Sequence, residues 1–374
     1  MSEIKVNSIK GVAASTAALT INNTDGTCTA NITNNLSNRN IIINGAAQIN
    51  QRGNQTGVGQ GNTYTLDRWE FFGQSTSAQY TITQSTDAPN GFGNSLKLDC
   101  TTVDSSLDAN TENTLFTKFE GQDLQSIAKG TSAAKKLTLS FYVKTNKTGT
   151  YCVHLKDADN NRDVSGSYTV SDTNWNRYTI SFPADTTGAF DNDNNKSLDV
   201  KWFLCCGSNR NTGSLNTVWR SNVNTGSATG QVNLADSTSN EWSITGVQLE
   251  VDHTGSGVAT DFEHRSFAQE LQLCRRYFQI IGPASGEAQH GTNIQGALRA
   301  TPFMRANPSI AIIDNSSNCG KSGAAPESIT SVGTIYVEGE TTGMGGWVEM
   351  GGSGFDTHRF YHIYGGKFSF SAEL

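Results

Sequence analysis

Proline and charge are both scarce in this chain. Only 6 of 374 residues are proline, and charged side chains make up 16%. That is too little charge for a disordered tail, which stays unfolded by polarity and self-repulsion. No apolar run approaches the roughly 20 residues that cross a bilayer as a helix, so no membrane insertion is expected. The opening Met1-Ser2-Glu3-Ile4-Lys5-Val6 lacks the basic start and apolar stretch of a secretory signal. The chain is therefore expected to fold in the cytoplasm of the cell that makes it. A basic stripe is missing too: the longest basic runs are Lys135-Lys136 and Arg275-Arg276, and the net charge is −7. Phosphate binding needs clustered Lys and Arg, so no nucleic-acid partner is expected.

What is present is small and polar. The chain holds 35 Asn, 43 Thr, 37 Ser and 38 Gly, about two-fifths of its length. Asn, Gly and Ser favour turns, and Thr also fits strands. The composition therefore predicts a mainly β protein of short strands and many turns, and it disfavours helical bundles and doubly wound α/β folds.

The pattern divides the chain into five stretches. Residues 1–40 alternate weakly between Asn/Thr/Gly turns and are too polar to bury a core of their own. They predict an attachment or intersubunit segment, with Ile4, Val6 and Ile9 as the apolar anchors. Residues 41–63 read as a linker, and Gly57-Val58-Gly59-Gln60-Gly61 within it as a loop, because no helix pattern follows its glycines. Residues 64–265 carry strand signals at sandwich spacing. In Lys136 to Lys144, Leu137, Leu139, Phe141 and Val143 share one face, with Thr138, Ser140 and Lys144 opposite. The strand from Gly149 to Leu155 is expected to pair antiparallel with it across a short turn.

Residues 266–281 predict a helix with Ser266 and Gln269 as a capping box. Phe267, Leu271, Cys274, Phe278 and Ile281 form its apolar stripe at 4, 3, 4, 3 spacing, for packing on the sandwich or in a short intermolecular coil. Residues 282–374 return to glycine-punctuated, aromatic strands and predict a C-terminal β tip domain.

Chemistry-bearing motifs are few. Gly-x-Ser-x-Gly, His-Glu-x-x-His, Gly-x-x-x-x-Gly-Lys and Cys-x-x-Cys are all absent. Of the seven cysteines, an odd count that leaves at least one free, Cys100, Cys152, Cys205 and Cys206 sit in apolar strand patterns and read as small buried hydrophobes, with a disulfide, metal or catalytic role as the alternative. Asp157, Asp159, Asn161 and Asp163 alternate as calcium ligands do, yet Arg162 stands where the loop glycine belongs and no Glu closes the series. They are weak calcium candidates, and no firm metal site or cofactor is expected. His358 and His362 would lie about 13 Å apart on one strand face, too far to share an ion. The tryptophans 69, 175, 202, 219, 242 and 347 mostly read as core. One or two exposed aromatics beside amides would make a sugar site. Within the terminal domain Trp347, His358, Tyr361 and Tyr364 are the glycan-binding candidates, with packing as the alternative.

Several segments together resemble a known family. Asn38-Arg39-Asn40-Ile41-Ile42-Ile43-Asn44-Gly45-Ala46, then Gln51-Arg52-Gly53, Tyr64 to Trp69, Leu137 to Lys144, Asp185 to Gly188 and Ile244 to Glu250 carry the likeness. The strongest block runs from Asp261-Phe262-Glu263-His264-Arg265-Ser266-Phe267 to Cys274-Arg275-Arg276-Tyr277-Phe278-Gln279, with Pro302 to Pro308 later. These resemble tail-fibre and related virion proteins of tailed bacteriophages, especially marine podovirus-like phages, over about residues 38–310. The resemblance implies a carbohydrate-binding-module-like jelly roll, homotrimeric assembly and attachment to the virion by the N-terminus. It carries over no catalytic residue and names no receptor.

The expected function is thus a structural tail fibre that attaches by its N-terminus and recognises host surface polysaccharide or lipopolysaccharide by its distal domains. Its partners would be two further copies and phage tail, adaptor or capsid proteins. Two alternatives stand beside it: a capsid or tail decoration that binds no receptor, and a surface-polysaccharide depolymerase. No regular β-helical repeat supports the depolymerase, and the chain is expected not to be an enzyme.

Overall fold

The computed structural model describes residues 6–9, 12, 19–21, 24, 28–30, 38–252, 255–282, 285–313, 318–320, 327–336, 345–364 and 367–374. Strands β1 (Ser8–Ile9), β2 (Leu19–Ile21) and β3 (Cys28–Ala30) form a small antiparallel sheet. The bulk of the chain is a β-sandwich. Its strands are β4 (Gln55–Val58), β5 (Gly61–Tyr64), β6 (Glu70–Gln74), β7 (Gln79–Ser85), β8 (Ser95–Thr102) and β9 (Glu112–Glu120). They continue as β10 (Lys136–Thr145), β11 (Gly149–Asp157), β12 (Arg162–Val170), β13 (Asn176–Phe182), β14 (Lys196–Cys206), β15 (Arg220–Ser221) and β16 (Glu241–Asp252). One sheet has the order β13-β10-β16-β8-β7-β4, and the other β15-β12-β11-β14-β9-β6-β5. The mainly β, jelly-roll expectation holds.

Alternation builds the core between the sheets. Leu137, Leu139, Phe141 and Val143 of β10 face Val153, Leu155, Val200 and Trp202 of the opposite sheet in one buried cluster. Trp69 and Phe141 close on Trp202, with ring centres 5.5 and 5.7 Å away. Truncating such a ring to alanine costs about 3–5 kcal/mol.

Three sequence expectations change here. First, β10 and β11 do not pair: β10 lies between β13 and β16, and β11 between β12 and β14. The short Asn146-Lys147-Thr148 connection crosses from one sheet to the other, because each strand has an apolar face for the shared core. Second, residues 41–63 are not a linker. Ile42, Ala47, Ile49 and Val58 are buried, and β4 and β5 are edge strands of the two sheets. Small residues allow this close packing: a Cβ on Gly45 would stand 2.1 Å from the Val247 carbonyl oxygen.

Third, helix α1 is shorter than expected, Phe267–Arg275. Its capping box is present as read, with the Ser266 hydroxyl accepting from the Gln269 amide at 3.3 Å. The chain then turns into strand β17 (Phe278–Ile281), which pairs with a later strand instead of continuing the helix. The apolar stripe is thereby split. Phe267 is exposed, Leu271 half-buried and Cys274 buried on the helix, whereas Phe278 and Ile281 belong to β17.

The remaining strands are β18 (Ser285–His290), β19 (Asn293–Arg299), β20 (Ser309–Ile312), β21 (Asn318–Gly320), β22 (Glu327–Tyr336), β23 (Gly345–Gly352), β24 (Phe360–Tyr364) and β25 (Phe368–Ser371). Six of them close a barrel in the order β18-β19-β23-β22-β21-β24, while β17, β25 and β20 form a separate sheet. That sheet is tied to the sandwich. Glu373 pairs with Arg52 at 2.8 Å and with Arg68, and Arg305 donates to the Asn194 carbonyl at 2.6 Å.

Candidate functional site

The outer face of the six-stranded sheet is largely covered. Residues 255–263 lie over one end of it: the Thr260 amide donates to Glu250 at 2.8 Å, and the Glu263 amide to Gln248 at 2.8 Å. Beside them Phe92, Tyr142, Phe262 and His264 pack ring against ring at 4.8–5.4 Å. Beyond Tyr142 the same face of β10 carries Lys144, and there the surface opens into a cleft of about 530 Å³.

The cleft is built from three strand ends and one turn. Lys144, Thr145 and Asn146 end β10, Glu241 starts β16, and Thr173, Asn174 and Trp175 lead into β13. Asp172 shapes the turn: its Oδ1 accepts from the Asn174 amide and the Asn176 side-chain amide, both at 2.8 Å. Such Asx-type bonding fixes a loop locally. Trp175 follows, half-buried.

Asp87 sets the indole. Trp175 Nε1 donates to Asp87 Oδ1 at 3.0 Å, and Lys144 Nζ pairs with Asp87 Oδ2 at 2.7 Å. The Asp87 backbone is held in turn, its amide donating to the Ser85 hydroxyl and its carbonyl accepting from the Ser95 hydroxyl. The Lys144 bond first, and the Trp175 bond with it, hold the Asp87 carboxyl below its ordinary range. On the other wall Glu241 is held by Lys97 at 2.7 Å, which also meets Asp99 at 2.9 Å. Asn146 is structural, donating to the Ser239 carbonyl and accepting from the Glu241 amide. The result is a fixed aromatic plate beside exposed Thr173 and Asn174, the chemistry of a pocket that stacks and hydrogen-bonds a polar ring.

Of the glycan-binding candidates singled out from sequence, His358 and Tyr361 are not brought together. His358 is exposed and sits in a turn at positive φ, ahead of β24, with Nδ1 3.4 Å from Glu287. Tyr361 is buried in the barrel, packed edge-on against Phe355, and its hydroxyl accepts from the Asp356 amide. That corrects Tyr361 as a surface stacking residue: alternation on β24 turns it inward. Trp347 lies on β23 opposite Ala297 and Tyr336, and Tyr364 on β24 opposite Asn318.

The calcium series is taken up by other partners. Asp157 is buried against Lys129 at 2.6 Å, Asp159 accepts from the Asp191 amide, and Asp163 meets His154 and Arg220. Asn161 occupies the β11–β12 turn at positive φ. Among the described residues no group of three or more His, Cys, Asp or Glu is arranged for a metal ion. Val6 and Ile9 are exposed, and Ile4 lies outside the described residues. The cysteines at 100, 152, 205, 206 and 274 are buried and free, as small hydrophobes should be.

No protein-family model matches the sequence, and no curated protein matches it. Solved structures are similar in part. The enzymatically active domain of tailspike protein 4 from bacteriophage CBA120 is 14% identical with a TM-score of 0.29, over 57% of this chain and 21% of that one. The CBM22-1–GH10 modules of the Clostridium thermocellum endo-1,4-β-D-xylanase 10B, complexed with xylohexaose, are 12% identical with a TM-score of 0.29, over 55% and 29%. A family 61 carbohydrate-binding module in complex with β-1,4-galactotriose is 9% identical with a TM-score of 0.28, over 57% of this chain and 99% of that one. This chain thus spans less than a third of the tailspike domain and of the xylanase modules. The expectation of a non-enzyme is corrected by these structures, which include an enzymatically active tailspike domain and a glycoside hydrolase module.

Proposed function

We propose that this chain is a glycan-recognising fibre subunit of a tailed-phage virion. The observation that carries the recognition is the Trp175 cleft. The other sandwich tryptophans are spoken for: Trp69, Trp202 and Trp242 are fully buried, and Trp219 packs on the core with its Nε1 on the Pro183 carbonyl. Trp175 alone among these five is held at the mouth of a cavity, by a carboxylate that leaves its ring half-exposed. An indole face suits the C–H surface of a pyranose ring, and neighbouring amides and hydroxyls suit its O–H groups.

The fibre role rests on the family resemblance, and the packing supports it. The resembling segments interlock: Trp69 Nε1 donates to the Asn44 carbonyl at 3.1 Å, and Arg265 to the Ile42 carbonyl at 2.9 Å. The Asn40 amide meets Glu263 at 2.8 Å. In this reading the chain is a homotrimer attached to tail or capsid by its N-terminal strands. Exposed Phe267, Val6 and Ile9 would be covered by copies or by the attachment partner. Three linked sites make millimolar sugar contacts useful through avidity. The ligand would be a host surface polysaccharide or lipopolysaccharide.

The test is calorimetric titration of the full chain with oligosaccharides from bacterial surface polysaccharides, with release of reducing ends followed in parallel. Saturable binding that weakens at least about tenfold in Trp175→Ala is expected. Binding indifferent to that substitution, or none to any glycan, would overturn the reading. Mass photometry decides the assembly: three times 40.1 kDa is expected, and a monomer removes the trimer.

A further inference from the structure

The charges around Trp175 restrict which glycan can enter. Resting on the glycan-binding reading above, we infer that the cleft selects sugar units carrying no carboxylate, sulfate or phosphate. Lys144 lines the cavity and is engaged by Asp87 at 2.7 Å, and Lys97 beside it is engaged by the cavity residue Glu241 at 2.7 Å and by Asp99 at 2.9 Å. The ion-paired groups here, three carboxylates against two ammonium groups, carry one net negative charge, and Asp172 in the turn adds another, in a chain of net charge −7. The next cation along the β10–β11 turn, Lys147, is paired with Asp236. Arg177, two residues beyond Trp175, is committed to the Ser140 hydroxyl and the Thr260 carbonyl.

An acidic sugar therefore meets no cation lining the cavity that is free of a carboxylate partner. To reach Lys144 it must displace Asp87, whose other oxygen anchors the Trp175 indole at 3.0 Å. Binding an anion would thus release the aromatic plate that the ring needs. A neutral unit leaves the Asp87 bridge intact and uses the hydroxyl of Thr173 and the amide of Asn174, both exposed at the cavity. Its affinity should also be indifferent to salt, since no charge pair forms or breaks.

The experiment uses the full chain and Trp175→Ala against neutral probes (β-1,4-galactotriose, xylohexaose, N-acetylchitotriose) and acidic ones (trigalacturonate, alginate oligomers). Acidic bacterial surface polysaccharides are added before and after chemical reduction of their carboxyl groups. Trp175-dependent binding is expected only with uncharged or reduced forms, at least about tenfold tighter than with the acidic form. It should change less than about twofold between 0.05 and 0.5 M NaCl. The paired substitution Asp99→Asn with Glu241→Gln removes two negative charges, frees Lys97, and should raise affinity for the acidic form. Trp175-dependent, salt-sensitive preference for an acidic glycan would overturn this inference and leave glycan recognition standing. No Trp175-dependent binding of any probe would overturn the glycan reading itself.

Discussion

The guanidinium of Arg68 lies 3.5 Å from the centre of the Tyr277 ring, joining the β5–β6 turn to the residues that follow helix α1. The same Arg68 pairs with Glu373, and Arg52 does so while covering the Phe278 ring at 3.6 Å. Glu120 receives Arg276 at 2.7 Å and the Tyr277 hydroxyl at 2.6 Å. Sandwich, helix and terminal sheet thus meet through charges and rings that are mostly buried.

Breaking this junction should be costly because it leaves the buried Glu373 carboxylate with Arg52 as its remaining cation. The side chains of Arg68 and Glu373 are 2% and 4% exposed. Arg68→Ala is expected to destabilise by about 3–5 kcal/mol, the range for a buried pair that loses one partner. Denaturant unfolding followed by tryptophan fluorescence would show it. Loss under about 1 kcal/mol would mean that Arg52 alone compensates the Glu373 carboxylate.

Much of this was legible locally and little of it globally. The Ser266–Gln269 capping box was readable because it spans three residues of one segment. The end of α1 was not, since Tyr277 and Phe278 are claimed by Glu120, Arg68 and β25, far off in the chain. The partner of β10 was misread because a short turn looks alike whether it stays in a sheet or crosses between two. Trp175 was visible among six tryptophans, but Asp87, which makes it a site, lies 88 residues away.

Acid should loosen the same junction. Burial alone would raise the Glu120 carboxyl, but hydrogen bonds from Arg276 and Tyr277 overcome it and leave the group below its ordinary range. Asp185 behaves likewise, burial being outweighed by Arg162 and Lys129. The folded form therefore holds fewer protons than the unfolded chain just below the ordinary carboxylate range. Stability is full above that range and falls as pH drops through the depressed values. Melting temperature against pH should decline below about pH 4, and Glu120→Gln should flatten the decline while costing about 1–3 kcal/mol at neutral pH. An unchanged acid limb in that variant would place the sensitivity elsewhere.

Gly45 is required by space. Its Cβ would meet the Val247 carbonyl oxygen at 2.1 Å, the residue whose amide bonds Gly45. Neither backbone can yield, since both belong to the seam between residues 40–47 and β16. Gly45→Ala is expected to cost more than about 2 kcal/mol, or to lower the soluble yield sharply. Unfolding midpoints of the two purified proteins would decide it.

Asp87 supplies the sharpest test of the cleft, because it acts through Trp175. Asp87→Ala removes the anchor of the indole and frees Lys144, so glycan affinity should fall about three- to tenfold. In Trp175→Ala there is no indole left to position, and adding Asp87→Ala should then change little. The two losses should be strongly non-additive in a double-mutant cycle. The pH profile carries the same signature. With the Asp87 carboxyl held down by Lys144 and Trp175, wild-type binding should stay level down to the ordinary carboxylate range and fall only below it. Additive losses, or binding that declines already near pH 6, would show that the bridge from Asp87 to Trp175 does not set the site.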